Sequence, residues 1–372
     1  MYYMEFYMLW ITILLVALAL LILGMIYMTW AVGKFSLIQK VSKGKKARRR
    51  LFSFGIVALV FALFTVTLSL VNAVIILLHL VIFRILYGLI FAIIKKVRKK
   101  DYKIYWQAWF ALVTCIIYLA VGFYLCKHVW VTRYELSTAK DLGGLRVAMF
   151  ADSHLGTTFG GEKLGEYLED MMAESPDIIV IPGDMIDDGT SREDMIECCR
   201  VLGSVKPKYG VWFAYGNHDR GYYRDEDSSF SNEEFVSEME KNGVHILCDE
   251  VELIDDRFYL IGRDDKSNSS RATIADMTKD LDQSKYMVVL NHQPNDYESE
   301  AAAKVDLVLS GHTHGGQMLP VTFLGEYIGA NDRTYGYEKK QDTDFIVTSG
   351  ISDWDILFKT GTKSEYVIID IK

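Results

Sequence analysis

The hydrophobic pattern changes character near residue 135, and that change divides the chain. Phe6–Trp30 is almost wholly apolar and long enough to cross a hydrocarbon core of about 30 Å as a helix. An uncleaved signal sequence is the other reading, but the stretch lacks a basic n-region and further apolar spans follow it. Leu51–Ile94 stays apolar over 44 residues, too long for one ordinary span. It is expected to form two helices with a turn near Ser69–Ala73, where Asn72 is the only breaker. A fourth span runs from about Tyr105 to Cys126. The expectation is an N-terminal α-helical membrane bundle in residues 1–136, with helices at about 6–30, 51–70, 74–94 and 105–126.

After residue 136 the pattern alternates between short apolar runs and helical periodicity. Leu145–Phe150, Ile178–Ile181, Val211–Tyr215, Tyr286–Leu290 and Asp306–Ser310 read as buried strands. Val244–Cys248, Val251–Ile254, Phe258–Ile261, Phe345–Thr348 and Tyr366–Ile371 supply further strands. Leu164, Tyr167, Leu168, Met171 and Met172 recur at helical spacing. Thr190-x-x-Glu193 and Ser231-x-x-Glu234 read as capping boxes opening two more helices. Residues 137–372 are therefore expected to be an α/β domain.

Charge sharpens the division. Residues 1–136 hold 17 Lys and Arg against 3 Asp and Glu, leaving 23 and 45 in the remainder, within an overall net charge of −8. An acidic second half lacks the basic footprint that nucleic-acid binding needs. Two basic loops, Lys34–Arg50 and Lys95–Lys100, belong in the cytoplasm by the positive-inside rule. With four spans, everything after Lys127 is then expected outside the cytoplasm, on a multi-pass protein of the cell membrane. Lys127–Leu136 is expected as a short connection, at most roughly 33 Å long. Arg84 falls mid-way along the third span, either as a functional intramembrane charge or as a snorkelling side chain.

Five cysteines, with no Cys-x-x-Cys among them, give no disulfide framework or zinc module and read as packing residues. The chemistry gathers instead where strands end, the usual place for ligands in α/β sheets. In order these ends carry Asp152-x-His154, Gly183-Asp184, Gly216-Asn217-His218-Asp219, His292, and Gly311-His312-Thr313-His314-Gly315-Gly316-Gln317. Five of the eight histidines lie in this set. Each motif alone is an ordinary loop sequence, and His-x-His by itself is weak. Five of them, each just after an apolar strand, point to one polar cleft.

The order Asp-x-His, Gly-Asp-x-x-Asp, Gly-Asn-His-Asp, His, Gly-His-Thr-His resembles the calcineurin-like metallophosphoesterases over roughly residues 145–372, and with the preceding spans it is similar to their bacterial membrane-anchored branch. The resemblance implies a β-sandwich of two mixed sheets flanked by helices, with two divalent metal ions at one sheet edge. It assigns Asp152, His154, Asp184 and His314 to one metal and Asp184, Asn217, His292 and His312 to the other. A donor set mixing imidazole and oxygen suits Mn, Fe or Zn, and a water between the ions would attack phosphorus. His218 would stabilise charge or protonate the leaving oxygen, with Asp219 orienting its ring, while Asp187 and Gln317 support the ligands. Arg220, Tyr222, Tyr223 and Arg224 follow the third motif as either pocket residues or an exposed loop. The implied activity is phosphoester hydrolysis, as a phosphodiesterase or phosphomonoesterase, on a lipid-linked or envelope substrate. The alternative is a membrane sensor or scaffold that binds a phosphorylated ligand without turnover. The expected partners are the lipid bilayer and a phosphorylated, amphiphilic substrate.

Overall fold

The computed structural model describes residues 2–99, 104–220 and 229–372, and the chain divides into two compact units, Met1–Val121 and Gly122–Lys372. Lys100 of the second basic cluster and Tyr222, Tyr223 and Arg224 lie outside the described residues.

The first unit is built from α1 (Tyr2–Val32), α2 (Ser36–Val41), α3 (Lys46–Thr67), α4 (Leu70–Arg98) and most of α5 (Trp106–Lys127), whose residues from Gly122 onward belong to the second unit. Among the described residues four helices are long and apolar enough to cross a membrane: Leu14–Val32 within α1, and all of α3, α4 and α5. The break expected near Ser69–Ala73 falls at Leu68–Ser69. There the Ser69 hydroxyl accepts the Asn72 backbone N–H and caps α4, and the Asn72 amide donates to the same oxygen at 2.8 Å. Asn72 thus marks the turn by supporting a cap. Arg84 is buried on α4, and its guanidinium lies beside Gly88, where a Cβ would sit 3.0 Å from Nη1. It bonds the Tyr105 hydroxyl through Nε at 3.2 Å and also through Nη2.

The second unit holds twelve strands in two six-stranded sheets among the described residues. The strands are β1 (Trp130–Leu136), β2 (Leu145–Met149), β3 (Ile178–Pro182), β4 (Val211–Ala214), β5 (His245–Leu247), β6 (Glu250–Ile254), β7 (Phe258–Gly262), β8 (Tyr286–Leu290), β9 (Leu307–Ser310), β10 (Gly336–Lys340), β11 (Thr343–Val347) and β12 (Glu365–Ile371). One sheet runs β1-β12-β2-β3-β4-β5 and the other β10-β11-β9-β8-β7-β6. Both are mixed: β2 through β5 are mutually parallel, as are β7, β8, β9 and β11, while β12–β2, β6–β7 and β10–β11 pair antiparallel.

Alternation within each strand fixes the layers. Val147, Met149 and Val180 of one sheet meet Leu260, Val288, Leu309 and Ile346 of the other in a shared core. The opposite faces, Ala148, Ile179 and Phe213, pack on Leu164 and Leu168 of α6 (Gly161–Ala173), Met195 of α7 (Arg192–Ser204) and Phe235 of α8 (Asn232–Lys241). Ile261, Met287 and Val289 pack likewise on Ile274 of α9 (Ile274–Thr278) and Tyr297 of α10 (Tyr297–Ala302). Burial on both faces explains the continuous apolar runs of these parallel strands.

Two expectations need correction. Lys127–Leu136 is no simple connection, because β1 pairs in parallel with β12 from Trp130↔Glu365 to Leu136↔Ile371. Its signal was the alternation of exposed Arg133 and Glu135 with more buried neighbours. The cap of α7 is Ser191, which accepts the Asp194 N–H, whereas Thr190 donates to the Leu155 carbonyl. Ser231 does cap α8, accepting from Glu234.

Phe213 is fully buried and meets Phe235 and Tyr215 edge-on at 5.7 and 5.3 Å, joining its sheet to α8. Phe213→Ala is expected to destabilise this unit by about 3–5 kcal/mol, read as a lowered thermal midpoint of the full-length protein in detergent.

Candidate metal centre

The parallel strands β2, β3 and β4 of one sheet and β8, β9 and β11 of the other each end in a loop of the same cleft. Asp152 and His154 follow β2, Asp184 follows β3, and Asn217, His218 and Asp219 follow β4. His292 follows β8, His312 and His314 follow β9, and Ser349–Asp353 follow β11. Backbone and side-chain bonds stitch the two sheets together at this edge. Ile351 N–H donates to Ala151 O, His312 N–H to both Asp152 oxygens at 2.8 and 3.1 Å, and the His292 Nδ1 pairs with Pro182 O at 2.8 Å.

Three side-chain groups bring their ligand atoms within 4.8 Å of one another: Asp152, His154 and His314; His154, Asp184 and His218; and Asp184, His292 and His312. Asp184 is common to the last two. Its Oδ2 lies 3.0 Å from His292 Nε2 and 3.7 Å from His154 Nε2, so one carboxylate stands between two imidazole clusters. Asn217 is buried on the adjoining loop.

Asp152, His154, Asp184, His312 and His314 all have φ between 35° and 72°, the left-handed region that non-glycine residues rarely enter. Each such residue costs roughly 1–3 kcal/mol and persists only where its surroundings over-determine it. Asp219 supplies much of that constraint. Its carboxylate accepts the N–H groups of Asp184 (2.7 Å), Met185 (2.8 Å), Ile186 (3.2 Å) and Gly216 (2.7 Å). Both oxygens are thus engaged by backbone, and Asp219 ties the Asp184 loop to the Asn217 loop. Glycine is required where the loops touch, since a Cβ at Gly216 would lie 2.1 Å from Asp184 Oδ1.

The charges in the cleft call for a cation. Burial alone would raise Asp184, but His292 and His154 more than reverse this and hold it well below the ordinary carboxylate range. Burial opposes protonation of His292, yet Asp184 pulls it up to about 10. Burial drives His312 down to about 3, with His292 adding to the effect. Burial, reinforced by Asp184, pushes Asp219 up to about 6 against the pull of its amide donors. Among the described residues, both buried nitrogens of His154, the His292 Nε2 and the Asn217 Oδ1 have no partner in hydrogen-bond geometry, although carboxylates lie close to the two rings. Lone pairs held dry and aimed at carboxylates fit divalent metal ions.

A supporting layer stands behind these groups. Asp187 Oδ2 lies 3.3 Å from His154 Nδ1, as expected of a residue that sets the ring. Asp353, fully buried, lies 3.5 Å from His314 Nδ1 and 3.0 Å from the equally buried Lys359 Nζ. Neither Asp353 nor Lys359 figured in the sequence reading, although Phe345–Thr348 was read as a strand and its end obeys the same rule as the others. The same loop places Trp354, 46 % exposed, 5.5 Å from the His218 ring. Gln317 donates its backbone N–H to the His314 carbonyl at 3.2 Å, and its side-chain amide holds the Phe358 carbonyl at 2.9 Å. Arg220 is paired with Asp264 at 2.6 Å and stacked on Tyr215.

Residues 145–316 match the calcineurin-like phosphoesterase family model. Over 252 residues the chain is 30 % identical to an uncharacterised metallophosphoesterase of Aquifex aeolicus, covering 65 % of this chain and 91 % of that one. It is 31 % identical over 236 residues to an uncharacterised metallophosphoesterase of Campylobacter jejuni, covering 61 % and 59 % of the two chains. It is also 31 % identical over 242 residues to a transmembrane protein with metallophosphoesterase domain of Danio rerio, covering 63 % and 54 %. The chain thus spans little more than half the length of the last two relatives.

Gly216→Ala is expected to displace the Asp184 carboxylate and lower bound divalent metal at least about tenfold, measured by elemental analysis of the purified protein. Lys359→Ala leaves the Asp353 charge buried without its cation. It should destabilise the unit by about 3–5 kcal/mol, and in a thermal melt Asp353→Asn in the same chain should restore part of that loss.

Proposed function

Since this chain belongs to the calcineurin-like metallophosphoesterase family, we propose that Gly122–Lys372 is a phosphoester hydrolase dependent on two divalent metal ions. The observation that carries the reading is Asp184, a buried carboxylate common to two clusters of metal-ligating side chains. Asp152, His154, Asp184 and His314 would hold one ion, and Asp184, Asn217, His292 and His312 the other. Bound there, the ions would supply Lewis-acid stabilisation of the phosphoryl oxygens and a nucleophile at neutral pH. The mixed imidazole and oxygen donors suit Mn, Fe or Zn.

The remaining work falls to the chain. Asp187 lies 3.3 Å from His154 Nδ1 and the Ser352 carbonyl 3.3 Å from His314 Nδ1, positions from which each would set the nitrogen that its ring turns to the cleft. Asp219 is a positioning residue that keeps the Asp184 and Asn217 loops together. His218 has its backbone N–H on Asp184 Oδ1 at 2.9 Å, while its ring lies edge-on to His154 and beside exposed Trp354. That location, at the rim of the ligand cluster, suits a group that donates a hydrogen bond to a phosphoryl oxygen and a proton to the leaving oxygen.

Four candidate spans support a multi-pass membrane protein, and the two basic loops support a catalytic unit on the extracytoplasmic side. A unit joined directly to a spanning helix favours phosphoesters of the envelope or lipid-linked phosphates. The acidic balance of this half argues against nucleic acid.

Full-length protein given Mn²⁺ should cleave an aryl phosphodiester or phosphomonoester. Asp184→Asn and His218→Ala should each lower kcat/KM by about 10²-fold or more, and EDTA should abolish turnover. Activity that survives both changes and chelation would contradict the proposal, whereas ligand binding without turnover would identify a sensor. Protease added to intact cells should release the catalytic unit; digestion only after lysis would place it in the cytoplasm.

A further inference from the structure

Immediately after the His312–Gln317 loop, the segment Leu319–Ala330 carries an apolar surface that the chain leaves uncovered. Leu319, Val321, Phe323, Leu324, Tyr327 and Ile328 are each about half exposed or more, and Tyr327 reaches 88 %. Single exposed apolar residues are ordinary, but six within ten positions mark an interaction surface. The segment is firmly shaped. Backbone N–H groups of Val321, Leu324, Tyr327, Ile328, Gly329 and Ala330 bond to Met318, Val321, Phe323, Leu324, Glu326 and Gly325 carbonyls respectively. The only charged residue from Leu319 to Ala330 is Glu326, and its carboxylate turns back to accept the Thr334 N–H. With these six N–H groups bonded locally and its one charge engaged, the segment carries a reduced polar cost for entering a low-dielectric layer.

Its position says which layer. Leu319 N–H donates to Thr360 Oγ1 at 3.1 Å, and the Thr360 methyl would lie 2.8 Å from a Cβ placed on Gly122. Lys359 N–H donates to the Gly122 carbonyl. Gly122 is a residue of the candidate span Trp106–Lys127, five positions before its end, hence about 7–8 Å along the helix from that end. Tyr124, His128 and Trp130 cluster at the same helix end, with Tyr124 stacked on His128 at 5.3 Å and His128 against Trp130 at 4.6 Å. Tyrosine and tryptophan concentrate at the headgroup level.

We infer that Leu319–Ile328 is a lipid-docking surface that enters the bilayer leaflet in which the C-terminal end of α5 resides, setting the metal loop against the headgroup layer. Gly316 brings the two into close contact, since a Cβ there would overlap the Thr322 carbonyl. Resting on the hydrolase reading, this names the substrate class: a phosphoester whose apolar part stays in the membrane while its phosphate reaches the cleft beside Trp354.

The test uses full-length protein in phosphatidylethanolamine–phosphatidylglycerol vesicles. A nitrobenzoxadiazole label is placed on Tyr327→Cys or, for comparison, on Asp256→Cys, whose side chain is 85 % exposed and remote from the segment. Four native cysteines are buried and Cys248 is half-buried, and unmodified protein taken through the same labelling gives the background. The Tyr327→Cys label should be quenched by doxyl-labelled lipid and be at least about fivefold less sensitive to iodide than the comparison site. Equal sensitivity to iodide would overturn the docking, as would a label shielded from both quenchers, the result expected if a second copy covered the segment. Phe323→Asp with Ile328→Asp should lower turnover of a bilayer-embedded long-chain phosphodiester at least about tenfold relative to its soluble short-chain analogue. An unchanged ratio would overturn the substrate assignment. Lack of turnover of either compound by the unmodified protein would count against the hydrolase reading alone, because the label reports docking without catalysis.

Discussion

The second unit depends on keeping a buried acidic residue, Asp184, fixed between two groups of histidines that arrive from different sheets. Nothing in the cleft lets that carboxylate reach water, so its charge must be answered by positive charge close by. The neighbouring imidazoles supply it in part. The left-handed backbone at five of the seven expected ligands adds a second demand, since such conformations hold only inside a rigid frame. Asp219 provides that frame with four amide bonds, and the shared core between the sheets holds the strand ends in register.

This ordering explains which residues are small. The glycines around the histidine motifs suggest room for a metal when read from sequence alone. In the fold they admit neighbouring loops: Gly311 faces the Asp152 carboxylate, Gly216 faces Asp184, and Gly316 faces the Thr322 carbonyl. The first two contacts join elements far apart in the chain and the third closes a local turn after the histidine loop, so all three help to set the ligand positions that coordination requires.

Much of the architecture was legible because burial on both faces leaves a continuous apolar run, and β2, β3, β4, β8 and β9 all carry that mark. The candidate ligands were legible by position, as polar residues directly after such runs. Less visible was β1, whose Arg133 and Glu135 interrupt its pattern because it stands at a sheet edge. The partners of Asp219 were hidden for another reason: a carboxylate that serves backbone amides looks, in sequence, the same as one that serves a histidine. Asp353 and Lys359 form a pair only because the chain after β11 folds back on itself, a tertiary fact with no local signature.

The central claim is that the Asp184 carboxylate is shared by two cations. Anomalous diffraction from crystals of the full-length protein, collected at the absorption edge of the bound metal, addresses it directly. The account predicts two peaks, one beside Asp152, His154 and His314 and one beside Asn217, His292 and His312, with Asp184 between them. A cleft with a single peak remote from Asp184, or with no peak in protein purified with Mn²⁺ present, would contradict it.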